Sequence, residues 1–204
     1  MPVPNAVRSS VMKLPAPISK KYLLVHLRGV TPLLMHPITD HTRREQIIKI
    51  SKQPLADLLV RDTRSGCIAV PGRWLKHAVR MAAWPYQDRH SGHFVDQVSQ
   101  YCIIGGYLIL SSTSGWSVYS RNRHARPNSR EMGIVRCPQF DDWSCEALIS
   151  FSAPLNEKII QRLVGSAGRD IGIGLFSAEQ RGAYGKFEAV SWQWTEQPKG
   201  YAGE

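Results

Sequence analysis

No two cysteines in the chain stand at a C-x-x-C spacing. Cys67, Cys102, Cys137 and Cys145 are scattered, a pattern that argues against a zinc site and for four reduced, partly buried thiols in a cytoplasmic protein. No apolar run is long enough to cross a bilayer and no strongly basic amphipathic helix stands out, so a membrane partner is not expected. The opening stretch MPVPNAVRSSVMKLPAPISKK lacks the continuous apolar centre of a secretory signal. It carries Pro2, Pro4, Pro15 and Pro17 and reads as an extended N-terminal arm over residues 1–20. Internal repeats and low-complexity tracts are also missing, so residues 21–204 read as one domain. Acidic residues are outnumbered: 16 Asp and Glu stand against 26 Lys and Arg, for a formal net charge of +10. That excess points to a polyanionic partner, because a basic field raises both affinity and encounter rate for phosphates.

The segments that are present fall into alternating elements. KYLLVHLRGV, residues 21 to 30, reads as a strand, and TPLLMHPITDH after it as an irregular turn held between Pro32 and Pro37. TRREQIIKISKQPLADLLVRD reads as helical on both sides of Pro54, which interrupts it. GCIAV is a short strand leading through Pro71 and Gly72 into RWLKHAVRMAAW, where Trp74, Leu75, Ala78, Val79 and Ala82 recur at helical spacing. Residues 85 to 100 read as a polar loop, YCIIGGYLIL as a strand and CEALISF as another. PLNEKIIQRLVGSAG is a helix with Leu155, Ile159, Ile160, Leu163 and Val164 on one face, and KFEAVSWQW is the last strand. The order strand, helix, strand, strand, helix, strand predicts an α+β fold. Its expected frame is a ferredoxin-like, RRM-type four-stranded antiparallel sheet with helices on one face, with insertions at about 31–66 and 111–144.

Three stretches carry candidate chemistry. SVYSRNRHARPNSREMGIVR holds Arg121, Arg123, Arg126, Arg130 and Arg136 with His124 against Glu131 alone, and Tyr119 lies at its edge. Arginine forks suit phosphates and stack on bases, so this segment is the leading candidate for contact with RNA or single-stranded DNA. GRDIGIGLFSAEQRGAYGKFEAV concentrates five glycines before the last strand. Gly172, Gly174, Gly182 and Gly185 are expected to let backbone N–H groups cradle phosphates. Arg169, Arg181 and Lys186 would add charge there, with Tyr184 and Phe187 as stacking groups. Its GIG is not a dinucleotide fingerprint, since a helix precedes it and a strand follows, and no cofactor is expected. Arg73, Lys76, His77 and Arg80 share one helix face, a solvated exterior or a phosphate contact. His36, Asp40 and His41 lie together, and His90 and His93 form another pair. Sequence proximity establishes neither a metal site nor an acid/base pair. Asp141 and Asp142 read as a turn before a strand.

Taken together these segments resemble the RAMP superfamily of CRISPR-associated proteins, whose domains are modified RRMs. IAVPGRWLKHAVRMAA resembles the family's IPGSSLKGALR element. GIGLFSAEQRGAYGKFEAV resembles its C-terminal glycine-rich loop, G…GxGRFxV, with Lys186 where the family often has Arg. VHLRGVTPLLMH is similar to the first strand of phage-encoded relatives. The resemblance spans residues 21 to 194 and places the basic insertion where Cas7-type backbone subunits carry a thumb hairpin. It implies a Cas7-like, non-catalytic subunit that assembles in several copies along a guide RNA, with target single-stranded nucleic acid and other effector-complex subunits as further partners. Asp40 is the one counterpart to the aspartate that some backbone subunits use to cut RNA, and its surroundings match poorly. Two other readings stay open: a metal-independent Cas6-type RNA endonuclease using His36 or His41, and a module that binds an acidic protein surface.

Overall fold

The computed structural model describes residues 19–36, 53–87, 93–124, 132–175, 177 and 183–195. The arm before residue 19, the expected helix over residues 42–52, Asp40, His41 and His90 lie outside the described residues, as do Arg126, Arg130, Arg181 and Gly182.

In strand β1 (Lys21–Gly29) Leu23, Val25 and Leu27 are buried while Tyr22, Leu24 and His26 are half-buried between them. This alternation is what one covered sheet face requires. β1 pairs antiparallel with β8 (Ser144–Phe151) on one side and with β9 (Phe187–Thr195) on the other, with a register shift against β9 between His26 and Leu27. Beyond β8 come β5 (Tyr107–Ser111) and the short edge β3 (Ala69–Pro71), while β4 (Cys102–Ile103) also pairs with β8. The sheet runs β3-β5-β8-β1-β9, with six strands rather than the four expected.

Helix α1 (Gly72–Ala82) buries Trp74, Leu75, Ala78, Val79 and Ala82, the set its periodicity selects. Helix α3 (Glu157–Ser166) buries Ile160, Leu163 and Val164 and is capped by the Asn156 side chain, which accepts from the Ile159 N–H at 3.1 Å. These side chains join Leu23, Val25, Leu27, Ala147, Ile149 and Phe151 in one core. Pro71–Gly72 starts α1 against the Gly105–Gly106 turn. The Gly72 N–H donates to the Gly106 carbonyl at 2.8 Å, and a Cβ on Gly72 would stand 2.8 Å from the Gly105 carbonyl oxygen. The same turn splits YCIIGGYLIL into β4 and β5, with Gly106 at φ 71.

The stretch expected as loop to residue 100 contains helix α2 (His93–Tyr101), which inserts Val95 and Val98 into the core. Its apolar spacing outweighs a polar composition. The expected turn after β1 holds a two-residue strand, β2 (Leu33–Leu34), both residues buried. β2 pairs with β7 (Met132–Phe140), which pairs with β6 (Ser117–His124), making a second, three-stranded antiparallel sheet. After Pro54 the chain makes a single 3-10 turn, Leu55–Leu58.

Candidate nucleic-acid interface

The basic insertion is the β6–β7 hairpin, and strand alternation divides its arginines between two faces. Tyr119 is opposite Cys137 and Arg121 opposite Val135, so these residues share one side; Ser120 opposite Arg136 lies on the other. On the first side Tyr119, Val135 and Cys137 are buried, and Arg121 is exposed beyond them. The second side exposes Arg136, with Val118 at 50% and Ile134 at 53%. Arg123 and His124 belong to the backbone of β6.

Two devices hold this hairpin to the body. The first is a small core of Leu34, Tyr119, Val135, Cys137 and Leu175, with Tyr184 packed against it. The Tyr119 and Tyr184 rings meet edge to face at 5.6 Å. Tyr119, expected as a stacking group for nucleic acid, is 8% exposed and belongs to this core instead. The second is Asp142, in the turn between β7 and β8. Its carboxylate accepts from the Thr113 N–H at 2.7 Å, the Ser114 N–H at 3.3 Å, the Ser112 hydroxyl at 2.9 Å and the hydroxyls of Thr113 and Ser114. The Ser114 hydroxyl foremost, then the Thr113 hydroxyl and N–H, hold this carboxyl well below the usual carboxylate range. Asp142 thus ties the loop entering β6 to the turn leaving β7. The sequence marks the turn, but the Ser-Thr-Ser partners lie about thirty residues away and carry no local signal.

The glycine segment packs on itself and on the chain that follows β1. A Cβ on Gly168 would stand 2.1 Å from the Phe187 carbonyl oxygen, and one on Gly185 1.8 Å from that of Ile173. Gly172, Gly174 and Gly185 also take φ of 77, 83 and 68. Their hydrogen bonds close within the protein: Gly172 N–H to Ala167 at 2.7 Å, Ile173 N–H to Gly185 at 3.0 Å, Leu175 N–H to Leu34 at 3.0 Å and Gly185 N–H to Pro32 at 2.8 Å. The Lys186 N–H donates to the Thr31 hydroxyl at 2.9 Å. The expected phosphate cradle is corrected at Gly172 and Gly185, whose N–H groups are committed to protein acceptors. Phe187 is likewise buried, at 3% exposure, against Trp143, and offers no stacking face. The glycines serve close chain approach, and the segment seats the hairpin's small core through Leu175 and Tyr184.

On α1, Arg73, His77 and Arg80 are exposed and Lys76 is half-buried, opposite the apolar face. Arg169 lies in a π-helical turn, Ala167–Ile171, and is bidentate with Asp170 at 3.0 Å, which compensates its charge. His36 is fully buried. Burial pushes the Cys102, Cys137 and Cys145 thiols up to about 12, while Cys67 is exposed.

No protein-family model matches this sequence, and no curated protein does. Among solved structures, the chain superposes on one from the type III-B Cmr-beta complex bound to cognate target RNA, with a TM-score of 0.55 and 13% identity. The match covers 87% of this chain and 61% of that one, so this chain spans about three fifths of its neighbour's length. Cmr6 from Pyrococcus furiosus aligns with a TM-score of 0.43 and 10% identity, over 85% of this chain and 100% of Cmr6. At 13% identity the first likeness is one of fold: an α+β architecture with antiparallel sheets.

Proposed function

We propose that this protein is a Cas7-like, RNA-binding subunit of a CRISPR effector or a related phage-encoded complex, and that the β6–β7 hairpin is its thumb. The observation that carries the reading is the pinned basic hairpin, which presents Arg121 on one face and Arg136 on the other. An extended basic ribbon held at its base offers a guanidinium group on each of its faces, and arginine contacts phosphates without reading sequence. A formal charge of +10 agrees with such a partner. So does the fold likeness to a chain of a complex bound to target RNA.

Within the sheet, we read β9-β1-β8-β5 as a modified RRM core, since its strands stand in the order fourth, first, third, second of a ferredoxin-like chain. Guide RNA is then the ligand, and other copies of this chain and other effector subunits are its neighbours in the cytoplasm. A fully buried His36 does not serve the endonuclease alternative, because an acid/base imidazole must reach its substrate, and the other candidate, His41, lies outside the described residues.

Purification from the native operon context, with extraction of bound nucleic acid, tests the reading. The expected product is RNA of uniform length carrying several copies of the protein. A nucleic-acid-free monomer that neither binds nor cuts added RNA would overturn it and leave the fold intact.

A further inference from the structure

A second cluster, on the helical side of the sheet, combines exposed aromatic rings, arginine and a cleft that the hairpin reading does not use. Trp84 and Tyr86 lie in the 3-10 turn after α1 and are 61% and 43% exposed. The Arg162 guanidinium, from α3, stacks over the Tyr86 ring at 4.6 Å. Hydrogen bonding by the Ser166 and Arg162 side chains lowers the Tyr86 phenol from its ordinary value, and Arg169 in the π-helical turn adds its positive field. Together Tyr86, Phe94, Ile159, Arg162 and Leu163 line an open cleft of about 170 Å3.

The exposed face of α1 is basic. Arg73, His77, Arg80 and Trp84 follow at spacings of four, three and four residues, one face of a continuous helix. Ala83 keeps right-handed helical backbone at φ −78 and ψ −19, so the progression reaches Trp84 without a break in helical sense. Arg73, His77 and Arg80 are all exposed. Two exposed arginines with His77 between them thus lead along α1 to Trp84, and two residues further on Tyr86 lines a cleft with an apolar floor and a planar cation on its wall.

We infer that this cleft receives one unstacked nucleobase of a single-stranded RNA whose backbone runs along the exposed face of α1, with Trp84 as a stacking plane at its mouth. The volume suits one ring system rather than a length of chain. Phe94, Ile159 and Leu163 provide apolar contact for a base face, and the Arg162 fork keeps donors for a base edge beside the ring it covers. An apolar side chain from an acidic peptide is the competing occupant. It would leave the exposed arginines of α1 and the exposed Trp84 plane with a smaller part in binding.

The inference rests on the RNA-binding reading above, and the test separates the two. Labelled hexa-adenylate and hexa-uridylate are titrated into the full chain and into the Arg162→Ala, Trp84→Ala and Tyr86→Phe variants. A 4-thiouridine hexamer is photocrosslinked to the native chain, and the attachment sites are mapped by mass spectrometry. Melting curves establish that each variant is folded, and Tyr86→Phe keeps the ring should Arg162→Ala not fold. The expected result is a crosslink at Trp84, Tyr86 or Phe94, and about tenfold weaker binding in Trp84→Ala and Arg162→Ala. The loss should shrink when the probe carries an abasic nucleotide in place of the crosslinked one. Native binding that depends on the hairpin arginines, with crosslinks confined to the hairpin and folded cleft variants unchanged, overturns this inference alone. Absence of any RNA binding by the native chain overturns both. Competition by an acidic apolar peptide but by neither oligonucleotide assigns the cleft to a protein partner and overturns it as well.

Discussion

Gly185 is the residue on which the hairpin's seat most visibly depends. With φ at 68 and a Cβ position 1.8 Å from the Ile173 carbonyl oxygen, Gly185→Ala meets both left-handed strain and a backbone clash. It should lower stability by about 2 to 4 kcal/mol. Gly165 is the contrasting case: it lies in α3 and a Cβ there meets nothing within 4 Å, so Gly165→Ala should stabilise by about 0.5 to 1 kcal/mol. Thermal unfolding of the two variants checks both signs. Asp142 gives a pH dependence. Its folded pKa lies below its ordinary 3.8, so its anchoring is fully present above that value and is lost as pH falls through the folded value beneath it. Asp142→Asn should abolish that acid-side loss, and hydrogen exchange of the Thr113 and Ser114 amides across pH 2 to 6 reads it directly. At this scale the sequence displays the glycines and the acid pair. It does not display their partners, because Gly185 meets Ile173 and Asp142 meets Ser114 only after the chain has folded.

Among elements, legibility follows how local the determining pattern is. α1 and α3 were readable because each repeats its apolar residues within its own length, and β1 and β8 because each alternates. α2 repeats Phe94, Val95, Val98 and Tyr101 at helical spacing, but the polar residues around them make the stretch read as loop. β2 has two residues and exists through its pairing with β7. Asn156→Ala should remove the cap on α3 and destabilise by about 1 kcal/mol in chemical denaturation. Tyr119→Ala empties the small core beneath the hairpin and should destabilise by about 3 kcal/mol. Because the hairpin loses its seat, the same variant should also bind single-stranded RNA more weakly, although Tyr119 offers no stacking face to RNA. Unchanged binding would mean that the ribbon works without being held.

For the whole molecule, composition proved informative about charge and uninformative about where the charge is free to act. Of the basic residues singled out in sequence, Arg169 is paired with Asp170 in an exposed ion pair. Arg121, Arg136 and the α1 row remain exposed. The glycine-rich segment, the second candidate for ligand contact in the sequence, is a structural clasp that joins the helical layer, the turn after β1 and the hairpin. The central claim is that the hairpin grips a nucleic-acid backbone without reading sequence. The direct measurement is the salt dependence of single-stranded RNA binding, by anisotropy on oligomers of unrelated sequence, for the native chain and for Arg121→Glu/Arg123→Glu/Arg126→Glu. The account predicts weaker binding to every oligomer and a logarithmic salt slope shallower by about 2, as expected from three lost phosphate contacts on a single strand. Equal affinities and equal slopes would contradict it.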